Sequence, residues 1–476
     1  MNYEIVIGLE VHLQLNTKSK VFCGCSTDFG SAPNTQTCPV CLGFPGSLPV
    51  LSKKALELGA KVAIALNCRI AKKIRFDRKN YFYPDLPKNY QISQFDQPLS
   101  QHGSIAIVSG ETEKKIRIRR VHLEEDTGKL FHQNDCSLID FNRSGIPLLE
   151  IVSEPDINSP EEAYLYLTAL KSILEYLDVS DCNMEEGSLR CDANISLRKK
   201  GGKELGVKTE IKNMNSFKGV KSALEYEGRR QADLLESGER IIQETRLYDA
   251  EKGVTKPMRS KEEAHDYRYF PEPDLAPFDF EENFLKAIAK DMPELPEPKK
   301  NRFIKDYKLS NYDAAIMASD KSIADYFEKC AALYDNPKII ANWLMGDVSA
   351  YMKDNNILIK DLNLEPGQLS GMLKMIDSGV ITGKVAKALL IETIQTGTAP
   401  EKLVKEKGLE QISDVNLLEA AISQAISENP NPVEDFKGGK DNAIMFLMGK
   451  IMQKTKGRAN PNKVNEMLRE KLKGAK

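Results

Sequence analysis

The stretch Tyr3-Glu4-Ile5-Val6-Ile7-Gly8-Leu9-Glu10-Val11-His12-Leu13-Gln14-Leu15 decides the fold, because it alternates apolar and polar residues. The odd positions are all apolar, and the even positions include Glu10, His12 and Gln14. Successive side chains of a β-strand point to opposite faces, so this pattern predicts a strand with one buried and one polar face. Taken alone, the pattern also fits an ordinary antiparallel strand with one wet face.

Two later segments repeat this alternation. Residues 189–197 bring Arg190, Asp192 and Asn194 to one face, and residues 207–213 do the same for Lys208, Glu210 and Lys212. Three strands whose outer faces mix acids, bases and amides favour a functional sheet face over three unrelated wet faces. We therefore expect the polar faces of these strands to form one site.

Helical and loop signals divide the chain into domains. Ser159-Pro160-Glu161-Glu162 is typical of a helix start, and leucines follow at helical spacing. Residues 1–292 mix strands and helices without a regular βαβ rhythm, which predicts an α+β fold. A proline-rich stretch begins at Met292, and the pattern beyond it is helical. We predict an all-helical domain over 293–405 and a small helical tail domain over 406–476.

The composition places the chain among cytoplasmic globular proteins. It has 476 residues, 41% of them hydrophobic, a net charge of -2 and nine cysteines. No secretory signal and no membrane-spanning apolar run are found, so we expect a reducing compartment and no membrane partner. Residues 437–476 differ from the rest, since they hold eleven Lys or Arg against three Asp or Glu.

Four cysteines form a candidate metal clamp. Cys23 and Cys25 are separated by one residue, and Cys38 and Cys41 by two. Two short thiolate pairs at this separation suit tetrahedral Zn2+, although the first pair is one residue shorter than usual. The alternative is four reduced, half-buried thiols.

Acidic residues form a candidate site for a harder ion. Residues 121–129 hold three carboxylates in a row, and Glu150 lies inside an apolar run, where an unpaired acid is costly. With Glu10, His12, Glu125, Asp192 and Glu210, this chain has enough ligands for one or two Mg2+ ions bound to a nucleotide. The residues that could neutralise phosphates are Lys129, Arg190, Lys208 and Lys212. The alternative is a set of surface salt bridges, which explains Glu124 or Asp126 easily but Glu150 poorly.

Other nucleotide-site motifs are absent. The chain has no P-loop and no dinucleotide-binding glycine motif, and no serine nucleophile elbow occurs. An acidic Mg2+ face therefore predicts phosphoryl transfer by positioning and charge stabilisation.

In the tail, Lys454, Lys456 and Arg458 form a compact basic patch suited to an RNA backbone, although such runs are usually only solvated faces.

The chain resembles the B subunits of the bacterial glutamyl-tRNA(Gln)/aspartyl-tRNA(Asn) amidotransferases. The motifs that carry the resemblance include Ile7-Gly8-Leu9-Glu10-Val11-His12, Lys79-Asn80-Tyr81-Phe82-Tyr83-Pro84, His122-Leu123-Glu124-Glu125-Asp126, Glu186-Gly187-Ser188-Leu189-Arg190-Cys191-Asp192-Ala193-Asn194 and Asp266-Tyr267-Arg268-Tyr269-Phe270-Pro271-Glu272-Pro273-Asp274. The match extends over essentially the whole chain.

The resemblance implies an activity and an assembly. Family members use ATP and Mg2+ to phosphorylate the side-chain carboxylate of Glu-tRNA(Gln) or Asp-tRNA(Asn), and ammonia from a partner amidase, the A subunit, then displaces phosphate. A small C subunit completes a heterotrimer. The implied architecture is an antiparallel-sheet cradle with helices, then a helical domain and a tail that reads tRNA.

The resemblance also carries residue roles over to this chain. It implies Glu10, His12, Glu125 and Glu150 near Mg2+, with Asp192 and Glu210 less directly. Lys79, Arg190 and Lys212 are candidates for contacts to ATP or the tRNA 3′ end. The four cysteines become a structural zinc site, since some family members lack them.

Two other functions remain open from the sequence. One is a free-standing ligase that joins a small carboxylate to an amine, which would need the acidic face but not the basic tail. The other is a tRNA-binding scaffold whose acids are structural.

Overall fold

The chain folds into two compact units. The computed structural model describes residues 3–110, 112–258, 267–411, 415–438, 440–455 and 457–474. The first unit is Met1–Pro296 and the second is Glu297–Lys476, so the division falls four residues beyond the expected 292/293 boundary. Strands and helices mix in the first unit and helices fill the second, which confirms the predicted α+β class.

The strands all belong to the first unit. They are β1 (Tyr3–Gln14), β2 (Arg69–Ile70), β3 (Lys73–Ile74), β4 (Asp77–Asn80), β5 (Tyr90–Ser93), β6 (Ser100–Ser109), β7 (Thr112–Glu125), β8 (Lys129–His132), β9 (Ser137–Asp140), β10 (Pro147–Ser153), β11 (Leu189–Lys199), β12 (Thr209–Lys212), β13 (Thr245–Asp249), β14 (Val254–Pro257), β15 (Arg268–Pro271) and β16 (Phe278–Asp279).

The helices occur in both units. Those of the first unit are α1 (Lys53–Ala65), α2 (Pro160–Tyr176), α3 (Phe217–Glu236) and α4 (Glu282–Lys290). Those of the second are α5 (Pro296–Tyr307), α6 (Asn311–Ser319), α7 (Lys321–Ala331), α8 (Pro337–Trp343), α9 (Ser349–Asn355), α10 (Pro366–Asp377), α11 (Gly383–Thr396), α12 (Pro400–Lys407), α13 (Val415–Glu428), α14 (Pro430–Lys437), α15 (Ala443–Lys454) and α16 (Pro461–Gly474). A π-helical turn, Leu344–Val348, joins α8 to α9.

A nine-stranded sheet dominates the first unit, and β1 lies at its centre. The strand order is β14-β13-β12-β11-β1-β10-β7-β6-β2. The pairs are antiparallel except for β12 and β13, which are parallel. A separate three-stranded sheet has the order β15-β4-β5. The central position of β1 means that its polar face receives side chains from strands on both sides.

The odd face of β1 is the core, as its alternation predicts. Leu9, Val11 and Leu13 are fully buried, in one apolar cluster with residues of α1, α2 and α3. Helix α2 begins at Pro160, and the Ser159 hydroxyl accepts a hydrogen bond from the Glu162 amide at 3.1 Å. Because the helices cover the odd face, the even face of β1 is left for chemistry.

Among the described residues of the second unit, the regular elements are helices. The predicted division of this region at 405/406 stays a prediction. Near its end, α13, α15 and α16 share a small apolar core that includes Leu418, Ile422, Leu447 and Leu468. Within the described parts of both units, no helix combines the length and apolarity that a bilayer crossing needs.

A buried carboxylate fastens α3 to the edge of the large sheet, and we predict that its loss is costly. Glu227 is fully buried and accepts hydrogen bonds from Arg230 at 2.6 and 2.9 Å and from Thr255 at 2.8 Å. Arg246 Nε lies 3.4 Å from the same carboxylate. Glu227→Ala removes the buried acceptor that Thr255, Arg230 and Arg246 share, and Glu244 still pairs with Arg246 at 2.6 Å. The loss of this buried carboxylate should lower the free energy of unfolding by about 3–5 kcal/mol in urea titrations.

The exposed Glu225, on the same helix, supplies the control for this prediction. Glu225→Ala should change the free energy of unfolding by less than about 0.5 kcal/mol. Equal effects of the two substitutions would contradict the role given to Glu227.

Candidate functional site

Strand register assembles a row of ionisable side chains across the large sheet. His12 of β1 pairs with Glu150 of β10 and with Arg190 of β11. Glu150 in turn pairs with His122 of β7. Residues directly opposite each other in an antiparallel pair point to the same face, so these four residues share the polar face of the sheet.

Three of these strands supply a group that could hold a metal ion. The group consists of three ligand atoms that lie within 4.8 Å of one another, one each from His12, Glu124 and Glu150. Glu150 Oε2 is 3.5 Å from Nε2 of both His12 and His122, and Glu124 Oε2 is also 3.5 Å from His122 Nε2. Two carboxylates with an imidazole are a suitable ligand set for a divalent cation such as Mg2+ or Mn2+.

Electrostatics keeps both carboxylates of this group ionised. Burial alone would raise the pKa of Glu150, but the charge of His122 and the hydrogen bond and charge of His12 hold it well below its usual range. The pKa of Glu124 is lowered in the same way, because the hydrogen bond from His122 and the charge of Lys79 outweigh burial. Ionised carboxylates and a neutral imidazole are the forms that bind a cation, so metal binding at this group would release the proton of His12.

A second polar group adjoins the first along β1, β11 and β12. Asn194 Nδ2 donates to Glu10 Oε1 at 2.9 Å. Lys212 Nζ bridges Asp192 Oδ2 at 2.8 Å and Glu210 Oε1 at 3.2 Å. Burial, followed by the charge of Glu150, raises the pKa of Glu10. Burial lowers the pKa of Lys212, but Asp192 and Glu210 outweigh it and raise that pKa.

Lys79 approaches the group from the three-stranded sheet. Burial acts to lower its pKa, but the charges of Glu124 and Glu150 prevail and raise it. Its Nζ lies 4.9 Å from the centroid of the Tyr267 ring. Among the described residues, no carboxylate oxygen lies within 4.0 Å of this ammonium. Lys79 is therefore a cation that is held near two anions without being neutralised by direct contact.

Arg190 is anchored beside the group. Its Nη2 donates to Asp126 Oδ2 at 3.0 Å, and Gln14 Nε2 donates to the same oxygen at 2.7 Å. Burial opposes ionisation of Asp126, but the charges of Arg190 and Arg143 lower its pKa. The guanidinium is thus fixed at one end of the row.

Three residues expected at the site lie elsewhere. The Glu125 carboxylate accepts hydrogen bonds from Lys88 Nζ at 2.7 Å and from the Ile92 amide at 2.8 Å, which holds it apart from the Glu124 group. Lys129 is exposed on the β8–β9 hairpin, 4.9 Å above the Phe131 ring. Lys208 is exposed just before β12 begins.

The sequence pattern alone did not predict Glu124 or His122 as residues of this site. A surface salt bridge explains Glu124 easily from the sequence, yet this residue is 2% exposed and belongs to the metal-binding group. The period of two in β7 could have identified it, because His122 and Glu124 share one face and Glu125 belongs to the other.

The four predicted cysteines converge. One sulfur each from Cys23, Cys25, Cys38 and Cys41 lie within 4.8 Å of one another. Tetrahedral zinc, with Zn–S bonds of about 2.3 Å, needs sulfurs about 3.8 Å apart, so the group fits such an ion. A hydrogen bond from Cys23, with Lys20 nearby, lowers the pKa of Cys41. This cluster could therefore bind a metal such as zinc.

The predicted basic patch of the tail is partly occupied by internal contacts. Lys454 Nζ forms an ion pair with Glu428 at 2.8 Å. Arg458 Nη1 donates to the Gly408 carbonyl at 2.7 Å. Lys456 lies outside the described residues.

Comparison with known proteins gives a consistent result along the chain. Residues 5–286 match the family described as the GatB/GatE catalytic domain, and residues 325–472 match the GatB domain. The chain is 56% identical over 473 residues to the B subunit of the aspartyl/glutamyl-tRNA(Asn/Gln) amidotransferase of Thermoanaerobacter sp. (strain X514), covering 99% of this chain and 100% of that protein. The protein of the same name from Brevibacillus brevis is 51% identical over 473 residues, with 99% of each chain covered.

Proposed function

We propose a specific activity from one premise, which is that this chain belongs to the GatB family of aspartyl/glutamyl-tRNA(Asn/Gln) amidotransferase B subunits. The family role is tRNA-dependent amide transfer in translation. We propose that this chain phosphorylates the side-chain carboxylate of Glu-tRNA(Gln), Asp-tRNA(Asn) or both, with ATP and Mg2+, and that ammonia then converts it to the amide.

The group formed by His12, Glu124 and Glu150, with Lys79 near it, carries the proposal. A carboxylate is a poor electrophile until one of its oxygens becomes a leaving group. Phosphoryl transfer to it brings several negative charges together, so it needs cations in fixed positions. A bound Mg2+ would supply Lewis acidity to the phosphate oxygens.

Two displacement steps make up the proposed reaction. A side-chain carboxylate oxygen of the aminoacyl-tRNA attacks the γ-phosphorus of ATP, the bond to the β-γ bridging oxygen breaks, and ADP leaves. The ammonia nitrogen then attacks the acyl carbon, the acyl–oxygen bond to phosphate breaks, and the nitrogen loses a proton. In this scheme Lys79 stabilises charge on the phosphoryl oxygens, and Arg190 orients the acceptor.

Partners and compartment follow from the same proposal. Ammonia would come from a glutamine-hydrolysing A subunit, and a small C subunit would complete a heterotrimer. The carboxylates of the second polar group, which belong to Glu10, Asp192 and Glu210, would bind a second Mg2+ ion or orient the first one. Because the substrate is an aminoacyl-tRNA, we expect the complex to work in the cytoplasm.

ATP cleavage that depends on mischarged tRNA is the decisive measurement. The assembled complex should release phosphate from labelled ATP in the presence of Glu-tRNA(Gln) or Asp-tRNA(Asn), and not with uncharged tRNA. Equal stimulation by free glutamate would favour the small-substrate ligase. Transamidation without any ATP cleavage would overturn the proposal.

Lys79→Met tests the proposed charge stabilisation. We expect kcat for tRNA-dependent ATP cleavage to fall roughly a hundredfold to a thousandfold, because a cation aimed at the transferring phosphoryl group is lost. The matched control is Lys129→Met, which removes a lysine exposed on the β8–β9 hairpin and should leave kcat within about twofold. The assignment would be refuted if Lys129→Met lowered kcat and Lys79→Met did not.

Substitution of Lys450 and Lys463 tests whether the tail binds tRNA. Both lie in the strongly basic segment 437–476, and the contacts of Lys454 and Arg458 make those two residues poor probes. The double substitution to Gln should weaken tRNA binding and reduce the slope of log affinity against log salt by about two. Substitution of the exposed Lys402, on α12, serves as control, and an unchanged slope in the double variant would exclude this surface.

A further inference from the structure

The second unit contains a pocket that the proposed chemistry does not use. Its volume is about 560 Å³, and it is lined by residues of α8, the π-helical turn, α10 and α11. The residues that line it include the apolar Ile339, Leu373 and Ile376 and the aromatic Trp343. A cavity of this size with one large ring accommodates a flat, partly apolar ligand.

The π-helical turn borders this pocket. It extends over Leu344–Val348 and includes Gly346, which lines the pocket. A Cβ atom built at Gly346 would meet no atom within 4 Å, so packing does not require glycine there. Glycine is a poor helix former, and π-helical turns occur frequently at functional sites. Both observations suggest that the space beside Gly346 is used.

Two carboxylates contribute acceptors to the pocket. Asp377 accepts a hydrogen bond from the Tyr334 hydroxyl at 2.7 Å, and Asp347 pairs with Lys387 at 3.0 Å. Each contact uses only part of the capacity of a carboxylate, which has about four lone-pair sites. The remaining acceptors suit a ligand that carries two adjacent N–H groups.

The surroundings of the pocket are basic. Lys374 on α10 and Lys384 on α11 are exposed beside residues that line it, and Lys387, which lines it, is ion-paired with Asp347. Such a rim attracts phosphate and repels a cationic peptide, which is the other ligand that an aromatic and acidic pocket could take. The charge distribution therefore favours a nucleotide over an arginine side chain.

We propose that this pocket binds one unstacked guanine base of the RNA that the protein recognises, stacked on Trp343. The N1–H and exocyclic amine of guanine would donate to Asp347 or Asp377, as single-stranded bases are read on aromatic surfaces. The identification of that RNA as tRNA rests on the proposed function, whereas binding of the base itself does not.

Trp343 is the single tryptophan of the chain, so its fluorescence reports on this pocket. GMP added to the full chain should quench the emission with saturation. IMP lacks the exocyclic amine and should bind about threefold to tenfold more weakly, and CMP and UMP weaker still. Absence of quenching by GMP, equal quenching by all four nucleotides, or quenching only by an arginine-rich peptide would each overturn the proposal.

Gly346→Leu adds a side chain at a residue that lines the pocket, where a Cβ atom meets no atom within 4 Å. It should weaken GMP binding at least roughly tenfold while leaving the thermal midpoint unchanged or higher. Ala350→Leu, which introduces the same side chain at an exposed position of α9, should leave GMP binding unchanged. Unaltered GMP binding in Gly346→Leu would contradict the location.

Two measurements, ATP cleavage by the assembled complex and Trp343 emission of this chain alone, separate this inference from the proposed function. If tRNA-dependent ATP cleavage occurs but neither tRNA nor GMP quenches Trp343, the pocket assignment fails alone. If GMP quenches Trp343 but no tRNA-dependent ATP cleavage is found, the proposed function fails alone.

Discussion

Replacement of Glu150 by Gln should lower kcat/KM for tRNA-dependent ATP cleavage by about a thousandfold or more, the largest catalytic effect that we expect. Glu150 is the carboxylate through which His12 and His122 are joined, since one of its oxygens lies 3.5 Å from each imidazole. The amide keeps the size of the side chain but loses the charge that a cation needs. Affinity for Mn2+ as a probe ion should fall in parallel, and glutamine hydrolysis by the partner amidase should not.

Glu4→Gln is the matched control for this prediction. Glu4 belongs to the even face of β1, where it pairs with Arg198 at 2.9 Å. It is six residues from Glu10, or about 20 Å along an extended strand. The control should therefore retain activity within about twofold. If Glu150→Gln kept wild-type ATP cleavage, the acids of this face would be structural, as the scaffold hypothesis holds.

Replacement of Cys41 by Ser should remove the metal from the cysteine cluster and destabilise the first unit. Cys41 is the buried member of the four, and Lys20 Nζ lies 3.8 Å from its sulfur. The free energy of metal binding stabilises the folded loops, because the unfolded chain does not preform such a site. If the loss is roughly 5 kcal/mol, the thermal midpoint should fall by about 10–20 °C. Metal content by mass spectrometry and a thermal melt measure both effects.

Cys136→Ser provides the control for the cysteine cluster. Cys136 is exposed between β8 and β9 and has no part in the cluster. Its replacement should change neither zinc content nor the thermal midpoint. Should Cys41→Ser retain one zinc per chain and full stability, the cluster would not be a structural metal site.

The sequence pattern placed some residues of the candidate site correctly, whereas others could be placed only from the tertiary structure. The alternation of β1 placed Glu10 and His12 on one face, and the structure has them there. The choice between Glu124 and Glu125 could not be made by counting acids, because adjacent residues of a strand point in opposite directions. The pairing of β7 with β10 brings Glu124 to the metal-binding group, and Lys88 holds Glu125 apart from it.

Charged side chains far apart in sequence were the hardest to place. Lys454 looked like a free cation in a basic run, yet Glu428, twenty-six residues earlier, neutralises it. Lys129 looked like a phosphate ligand because it follows three acids, but the β8–β9 hairpin places it at the surface. Whether each lysine has a charged partner depends on how the helices and strands pack together, and local composition does not encode that packing.

The sequence by itself determined which face of β1 is buried, where α2 begins, that helices follow the proline-rich stretch, and that four cysteines form a group. These features depend on periodicity, capping and short spacing, which are local properties of the chain. Only the tertiary structure decided that His12, Glu124 and Glu150 meet with Lys79 nearby. That meeting depends on the register of three strands separated by long stretches of chain, and a shift of one residue in any pairing would turn its side chains to the opposite face.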